Sequence, residues 1–218
     1  MPAKIDHIVV GADTLEQGVT YLKNQLGVDI PAGGEHPKMG THNCLMQLGD
    51  GVFFEIIAIN PKMNPPDRPR WFGLDDPRIR QRLKDQPRLL TWVVNTRNLA
   101  SLLKDAESNM GKSELLERGD LSWHFGLPAD GSLLIDGVIP YAMQWHVEQH
   151  PSTRMADLGC RLRSLEIFHS NPDWCGKALG SIGADQLVKI NALPENRTPF
   201  LQACISTPLG ICSLRSDT

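Results

Sequence analysis

Two ionisable side chains stand in apolar stretches of this chain, where a charged group needs a partner. Glu55 lies in the middle of the apolar run at residues 52–59, and His7 lies in a run rich in β-branched residues at 5–11. Burying a carboxylate alone costs several kcal/mol, so Glu55 must meet a cation, a metal ion, a hydrogen-bond donor or a wet cavity. Imidazole and carboxylate groups bind divalent cations and move protons, and the two residues therefore indicate chemistry of one of these kinds.

Residues 40–61 predict the β-hairpin that would position Glu55. The turn falls at residues 49–51, with His42 and Asn43 on one strand and Glu55 on the next. Successive strand residues face opposite sides of a sheet, so either His42 or Asn43 is expected on the same side as Glu55. The sequence leaves open which of the two it is.

The pattern that surrounds this hairpin recurs along the chain. A strand at residues 5–11, a helix at 14–27 and a Gly/Pro-rich loop at 28–40 precede the hairpin. Similar strand and helix periodicities begin at residues 89–94 and, more weakly, at 162–168. We therefore predict repeated units whose helices lie outside a sheet, with the concave face of the sheet free for a ligand.

Superposing the last strands of the first two units aligns Gln144 with Glu55. Strand alternation then predicts that Gln144 and His146 face the cavity. The same alternation predicts that Trp145 points to the opposite face, towards packing. The second unit is thus expected to add an amide and an imidazole to the site.

A divalent cation is one candidate occupant of this site, with His7, Glu55 and Gln144 as its ligands. Imidazole nitrogen and carboxylate oxygen suit zinc, nickel, manganese or iron, and open coordination positions would admit a substrate. The alternative is a metal-free pair in which His7 and Glu55 hydrogen-bond to each other. Spacings of tens of residues carry little specificity and do not choose between the two.

Two further side chains are candidates for binding a ligand. Trp71 belongs to the aromatic island at residues 70–74, which favours a lid or cavity wall over a plain linker. His124 lies in a predicted strand at residues 121–127, where it could act as a base or as a half-buried hydrogen-bond donor. Aromatic side chains are also common in cores, so a packing role for Trp71 stays open.

Composition and charge argue against several functional classes. The net charge is −3 and no basic block is present, so neither nucleic acid nor a membrane surface is an expected partner. No apolar run approaches the roughly 20 residues of a membrane span, and no leader pattern is recognised, so we expect a cytoplasmic protein. Five scattered cysteines predict buried thiols. Glycine-rich phosphate loops are missing, so a nucleotide cofactor is not expected. With nucleic acid and membranes disfavoured, a small molecule is the expected partner.

Taken together, several motifs resemble the glyoxalase-like branch of the vicinal oxygen chelate superfamily. The order and spacing of the motifs carry the resemblance, which spans about residues 4–170. The motifs are Ile-Asp-His-Ile-Val at residues 5–9, Gly-Thr-His-Asn at 40–43, Phe-Glu-Ile-Ile-Ala-Ile-Asn-Pro at 54–61, Arg-Trp-Phe-Gly-Leu at 70–74, Pro-Tyr-Ala-Met-Gln-Trp at 140–145 and His-Pro at 150–151.

The resemblance implies an α+β fold of βαβββ modules that form a cup-shaped mixed sheet with helices outside. The modules would cover about residues 4–60, 88–148 and, more loosely, 160–215 of a single domain at residues 1–218. A divalent metal commonly sits in the cup of such proteins, and superfamily members often form homodimers. We therefore expect a small-molecule partner and a modest tendency to pair.

The resemblance also assigns roles to residues. His7 matches the first-strand metal ligand and Glu55 the last-strand ligand, whereas Thr91 and Gln144 stand where a second His and a carboxylate are usual. The implied activity is that of a lyase or isomerase on a small oxygenated metabolite, with Glu55 or His42 moving a proton. The predicted ligand-binding residues are Asn43, Trp71, His124, Gln144 and His146. The alternative is a metal-free protein that sequesters a small molecule, of the bleomycin-resistance type.

Overall fold

The computed structural model describes residues 3–49 and 51–217, so Asp50 of the predicted hairpin turn lies outside the described residues. The strands are β1 Lys4–Gly11, β2 Ala32–His36, β3 Thr41–Gly49, β4 Val52–Ile59, β5 Arg88–Asn95, β6 Lys112–Arg118, β7 Leu121–Leu127, β8 Tyr141–Trp145, β9 Arg161–His169, β10 Lys189–Ala192, β11 Phe200–Thr207 and β12 Gly210–Arg215. The α-helices are α1 Leu15–Leu26, α2 Pro77–Asp85, α3 Leu99–Asp105 and α4 Pro172–Ser181. Along the described part of the chain, no helix is long and apolar enough to cross a membrane.

Local signals set the ends of α1, the helix that covers the outer face of the first unit. The backbone N–H of Gln17 donates to the hydroxyl of Thr14 at 3.1 Å, which satisfies one free donor of the first turn. Gly27 ends the helix with φ of 72°, a left-handed conformation that glycine adopts without a side-chain clash. Leu22 and Leu26 are fully buried on the inner face. The helix predicted at residues 14–27 is confirmed.

Eight strands form the main sheet, in the order β2-β3-β4-β1-β5-β8-β7-β6. Strand β1 runs parallel to β4, and β5 runs parallel to β8, so each half repeats the same βαβββ arrangement. The antiparallel pairing of β1 with β5 joins the two halves. Helix α1 packs on β3 and β4, and α3 packs on β6, β7 and β8. The predicted α+β fold with outer helices is confirmed.

The two edges of the main sheet, β2 and β6, approach each other and turn the sheet into a cup. The ammonium group of Lys38, just after β2, donates to the backbone oxygen of Leu115 on β6 at 3.0 Å. The guanidinium of Arg118, at the end of β6, lies against Gly34 of β2. Residues 32–36 were expected to belong to a loop, but they form the edge strand β2.

The C-terminal unit forms a separate four-stranded sheet, in the order β10-β9-β11-β12. Its elements follow the predicted order of strand, helix and three strands, yet the strand order differs from that of the first two units. Here the first strand, β9, pairs in parallel with β10, the strand that follows the helix. In the main sheet the first strand of each unit pairs in parallel with the last. Strands β11 and β12 pack against β5 of the main sheet.

The aromatic island folds into a short 3-10 helix, Trp71–Gly73, between β4 and α2. Phe72 has φ of 58°, a left-handed conformation that is uncommon for a bulky residue. The hydroxyl of Tyr141 accepts from the N–H of Phe72 at 3.2 Å and donates to the backbone oxygen of Ser132 at 2.5 Å. Trp71 and Phe72 are both buried. This anchoring makes the island a fixed wall of the cup.

Candidate active site in the cup

His7 and Glu55 meet at the floor of the cup. The Nε2 atom of His7 lies 3.5 Å from Oε2 of Glu55, and each residue is only 5 % exposed. Parallel pairing of β1 with β4 brings the two side chains together, because Val9 of β1 is the register partner of Glu55. The ring of Phe53 stacks on the His7 ring with a centroid distance of 4.3 Å. An imidazole is therefore one of the partners that the carboxylate of Glu55 requires.

Asn43 holds the second oxygen of Glu55. Its amide Nδ2 donates to Oε1 of Glu55 at 2.6 Å. Its Oδ1 accepts from the backbone N–H of Gly34 at 2.8 Å, which fixes the amide with its nitrogen towards the carboxylate. Asn43 is therefore the member of the His42–Asn43 pair that enters the cup.

Asp6 holds His7 from behind, and the sequence patterns gave no indication of this role. An irregularity in the pairing of β1 with β5 lies between Ile5 and His7, so Asp6 has no register partner on β5. Such a bulge re-aims side chains that would otherwise alternate across the sheet. Oδ1 of Asp6 accepts from Nδ1 of His7 at 2.6 Å. Nδ1 of His7 thereby carries the proton that is donated to Asp6, and Nε2 is the ring nitrogen that faces Glu55.

The second oxygen of Asp6 accepts three more hydrogen bonds. The donors are the amide of Asn95 at 2.9 Å, the indole of Trp145 at 2.8 Å and the Nε2 atom of His150 at 3.0 Å. Burial alone would raise the pKa of the Asp6 carboxyl, but the hydrogen bonds from His150 and His7 and the charges of these rings hold the pKa well below its usual range. Asp6 is thus a buried carboxylate that orients His7.

His36 and Arg118 form the polar side of the cup. The guanidinium of Arg118 donates to Nε2 of His36 at 3.3 Å, and Nδ1 of His36 lies 3.1 Å from the hydroxyl of Thr41. Burial and the charge of Arg118 lower the pKa of His36 to about 3. His36 therefore stays neutral near pH 7, and Arg118 supplies the positive charge at this side.

Aromatic and methionine side chains make up most of the remaining wall. The cavity they enclose has a volume of about 40 Å³, room for a few water molecules. Arg118, Trp145 and Met155 are partly exposed and form its mouth. A substrate larger than a few atoms enters only when side chains at the mouth move. The apolar lining consists of Leu45, Phe53, Trp71, Phe72, Trp123, Phe125, Met143, Trp145 and Met155.

The residues around His7 and Glu55 do not make a complete metal site. His7 and Glu55 supply one nitrogen and one carboxylate ligand, and the nitrogen of Asn43, which is not a metal ligand, faces the carboxylate. Within residues 3–49 and 51–217, no group of three His, Cys, Asp or Glu side chains could hold a metal ion. Zinc, iron and manganese sites usually have three protein ligands or more.

The predicted position of Gln144 in the cup is wrong. Its Oε1 accepts from the N–H of Leu99 at the start of α3, at 2.9 Å, on the outer face of the sheet. When His7 is superposed on Thr91, Val9 falls on Val93, and the register partners of these two residues are Glu55 on β4 and Tyr141 on β8. Tyr141 lies three residues before Gln144. The predicted alignment of β8 with β4 was thus shifted by three residues, and a shift by an odd number of residues reverses the face of every side chain along a strand.

For the same reason, Trp145 lines the cup and His146 does not. His146 instead meets His124 on the outer face, with Nδ1 of His124 and Nε2 of His146 2.6 Å apart. The neighbours of His124 on β7, Trp123 and Phe125, are the residues of that strand that reach the cavity. The predicted contributions of His124 and His146 to the cup are therefore wrong.

His42 also lies outside the cup, on the face that α1 covers. Burial lowers the pKa of His42, and the charge of Glu16 on α1 acts in the opposite direction. Its position, on the opposite face from Asn43, contradicts the predicted catalytic role beside Glu55. Trp71, in contrast, lines the cavity as the island suggested.

The fold and the site define a class: a cup-shaped protein of two βαβββ units with a buried imidazole–carboxylate pair in its floor. The sequence profile of the glyoxalase-like domain family matches residues 5–182. The chain belongs to this family. The resemblance stated from the motifs is thereby confirmed.

One solved structure supports the fold. A hypothetical protein from Staphylococcus aureus matches 99 % of this chain and 85 % of its own, with 15 % identity and a TM-score of 0.54. Methylmalonyl-CoA epimerase from Mycobacterium tuberculosis matches 65 % of this chain and 86 % of its own, with 14 % identity and a TM-score of 0.38. Only the first likeness bears on the fold, and neither bears on activity. A comparison with curated proteins found no match.

Proposed function

We propose that the chain is a glyoxalase-like isomerase that moves a proton at a carbon beside the carbonyl group of a small, partly apolar substrate. One observation carries the proposal: the His7 imidazole lies between two carboxylates, Asp6 at 2.6 Å and Glu55 at 3.5 Å, and faces an aromatic cavity. An imidazole ring with a carboxylate oxygen beside each nitrogen can take up a proton at Nε2 and release it again.

Glu55 is the base in this proposal. Its Oε2 removes the proton from the substrate carbon, and the electron pair of that C–H bond moves to the carbonyl oxygen, giving an enolate. The bond from Asn43 keeps the other carboxylate oxygen in place. His7, held by Asp6, shares the abstracted proton with Glu55, and the proton returns to a carbon or oxygen of the enolate. Substrate and product are therefore isomers.

Arg118 and the apolar walls assist the step. Arg118 supplies a positive charge at the mouth, where a substrate oxygen would enter, and His36 is held neutral beside it. A charge that develops on oxygen is stabilised more strongly where water is excluded. The aromatic lining provides such surroundings.

The metal-dependent form of the reaction implied by the family resemblance has two ligands in the cup, His7 and Glu55, and lacks a third among the described residues. The proposed chemistry therefore uses the acid–base pair alone. A cytoplasmic location and a homodimer also remain proposals that rest on the sequence.

A metal-free binding protein is the second candidate function, and the apolar lining favours it. Six aromatic side chains surround the cavity, and its polar side chains contact one another. The aromatic side chains are Phe53, Trp71, Phe72, Trp123, Phe125 and Trp145. Such a lining suits an aromatic or apolar compound that is held without reaction. In that case replacing Glu55 would change affinity only.

Proton exchange at carbon, measured over a panel of simple carbonyl compounds, tests the proposal. Small 2-oxo and 2-hydroxy carbonyl compounds are incubated with the protein in D₂O, and NMR follows the incorporation of deuterium at carbon. We expect wild-type protein to accelerate exchange in at least one compound and Glu55→Gln to lower that rate by about 100-fold or more. Glu117→Gln, on an exposed position of β6, is the matched control and should keep the wild-type rate.

Two outcomes would count against the enzyme. One is exchange at equal rates in wild type and Glu55→Gln, which would place the base elsewhere. The other is binding of compounds by both proteins without exchange in either, which is the result that the binding-protein alternative predicts.

A further inference from the structure

A second and larger cavity lies away from the cup, between α2, the start of β5 and the C-terminal sheet. Its volume is about 590 Å³, within the range of small-molecule sites, and it shares no lining residue with the cup. Leu89 and Leu90 of β5 contribute to its wall. We call it the arginine groove, after the four arginines that line it: Arg78, Arg82, Arg88 and Arg197.

Three of these arginines have no carboxylate partner in the part of the chain that the structure describes. Three aspartates also line the groove, but Asp76 pairs with Arg78 at 2.9 Å and Asp217 pairs with Arg215 at 2.7 Å. Among the described residues, no ion pair joins a carboxylate to the three remaining arginines, and Asp136 is the one lining carboxylate left unpaired. The groove thus keeps an excess of positive charge. The three arginines are Arg82, Arg88 and Arg197.

Most guanidinium donors of Arg82 and Arg88 also lack a protein acceptor among the described residues. Arg82 donates through Nη2 to the backbone oxygen of Ser216 at 2.6 Å, and Arg88 donates through Nη2 to the backbone oxygen of Arg82 at 3.0 Å. Each guanidinium has five N–H donors. Arg88 is 8 % exposed, and its Nε is buried with no hydrogen-bond partner in the described part of the chain.

Burial of Arg88 without an ion-pair partner among the described residues has a cost. Burial lowers the pKa of this guanidinium, and the nearby charge of Arg82 lowers it further, whereas the charges of Asp85, Tyr21 and Asp217 act in the opposite direction. A buried cation is stable when an anion with several acceptor oxygens is close. An anion in the groove would meet this need of Arg88 and would also lie near the exposed guanidinium of Arg82.

We propose that the arginine groove binds a small phosphorylated molecule. Phosphate oxygens accept paired N–H bonds from a guanidinium fork, and phosphate carries more charge than a single carboxylate, which suits three unpaired arginines. The volume leaves room for an organic part against Leu89 and Leu90. The site is independent of the acid–base pair, because the two cavities have no residue in common.

Calorimetric titration with inorganic pyrophosphate, at constant ionic strength, tests the proposal. We expect saturable binding to the wild type and a loss of affinity of about tenfold in Arg82→Gln and in Arg197→Gln. Arg80→Gln is the matched control, since Arg80 is exposed on the same helix and does not line the groove. Circular dichroism and a thermal midpoint close to that of the wild type establish that each variant folds.

Further measurements distinguish binding at this groove from binding in the cup, and a phosphorylated ligand from other anions. Arg118→Gln, which removes the cation of the cup, should leave pyrophosphate affinity unchanged. No saturable binding to the wild type, or equal losses in Arg80→Gln and Arg82→Gln, would overturn the proposal. Tighter binding of citrate than of pyrophosphate would overturn the choice of a phosphorylated ligand over a carboxylated one.

Discussion

Replacing Asp6 with asparagine is expected to disturb both the fold and the protonation of His7. The Asp6 carboxylate is fully buried and accepts hydrogen bonds from His7, Asn95, Trp145 and His150. An asparagine at this position keeps one acceptor oxygen and turns its NH₂ group towards donors that then lack an acceptor. The negative charge that holds these groups would also be lost.

The expected loss in free energy of unfolding follows from the cost of breaking a buried charged pair. Removing one partner costs roughly 3–5 kcal/mol, so we expect Asp6→Asn to lower the free energy of unfolding by about this amount at pH 7. The pKa of Asp6 is lower in the folded than in the unfolded protein. The stability that the ionised Asp6 carboxylate contributes is therefore fully present above about pH 4 and is lost as the pH falls. The free energies of unfolding of wild type and Asp6→Asn should become more similar in acid.

Urea unfolding at pH 7 and at pH 3 measures the stability difference, and ¹⁵N–¹H spectra of the histidine rings report the tautomer of His7. Wild-type His7 should carry its proton on Nδ1, and Asp6→Asn should shift this preference. Asp120→Asn, at an exposed carboxylate that pairs with Arg154, is the matched control. An Asp6→Asn protein as stable as this control, with an unchanged His7 tautomer, would refute the assigned role.

Three further predictions concern the fold and the cup. Thr14→Ala removes the acceptor for the N–H of Gln17 and should lower the free energy of unfolding by about 1 kcal/mol in urea titrations. Leu22→Ala leaves a cavity under α1 and should cost about 3 kcal/mol in the same assay, and a loss below 1 kcal/mol would contradict the packing described. His36 should show no NMR titration between pH 5 and pH 8. Because its folded pKa is about 3, its burial should reduce stability as the pH falls below the unfolded value of about 6.5.

The parts of the fold that follow from local periodicity could be predicted from the sequence. The hairpin of β3 and β4 and the capped helix α1 have strong alternation or end signals. The edge strand β2 was predicted as loop because Gly33 and Gly34 interrupt any apolar pattern. The strand order of the C-terminal unit depends on long-range pairing, for which its sequence carries no local signal.

The residues of the site could also be predicted only where local sequence patterns, and not long-range strand pairing, determine their positions. Glu55 stood out as a carboxylate in an apolar strand, and its pairing with His7 followed from the repeat of the units. Gln144 was misplaced because an error of an odd number of residues between repeats reverses the side-chain face. Asp6 was missed because the bulge that aims it at His7 depends on the pairing of β1 with β5.

In the proposed reaction, His7 and Glu55 move a proton without the help of a metal. The most direct test measures deuterium incorporation by protein that has been dialysed against a chelator, with the metal content determined on the same sample. We expect an unchanged exchange rate at less than about a tenth of an equivalent of any transition metal. Loss of exchange on chelation, with recovery on adding nickel, zinc, manganese or iron, would contradict it.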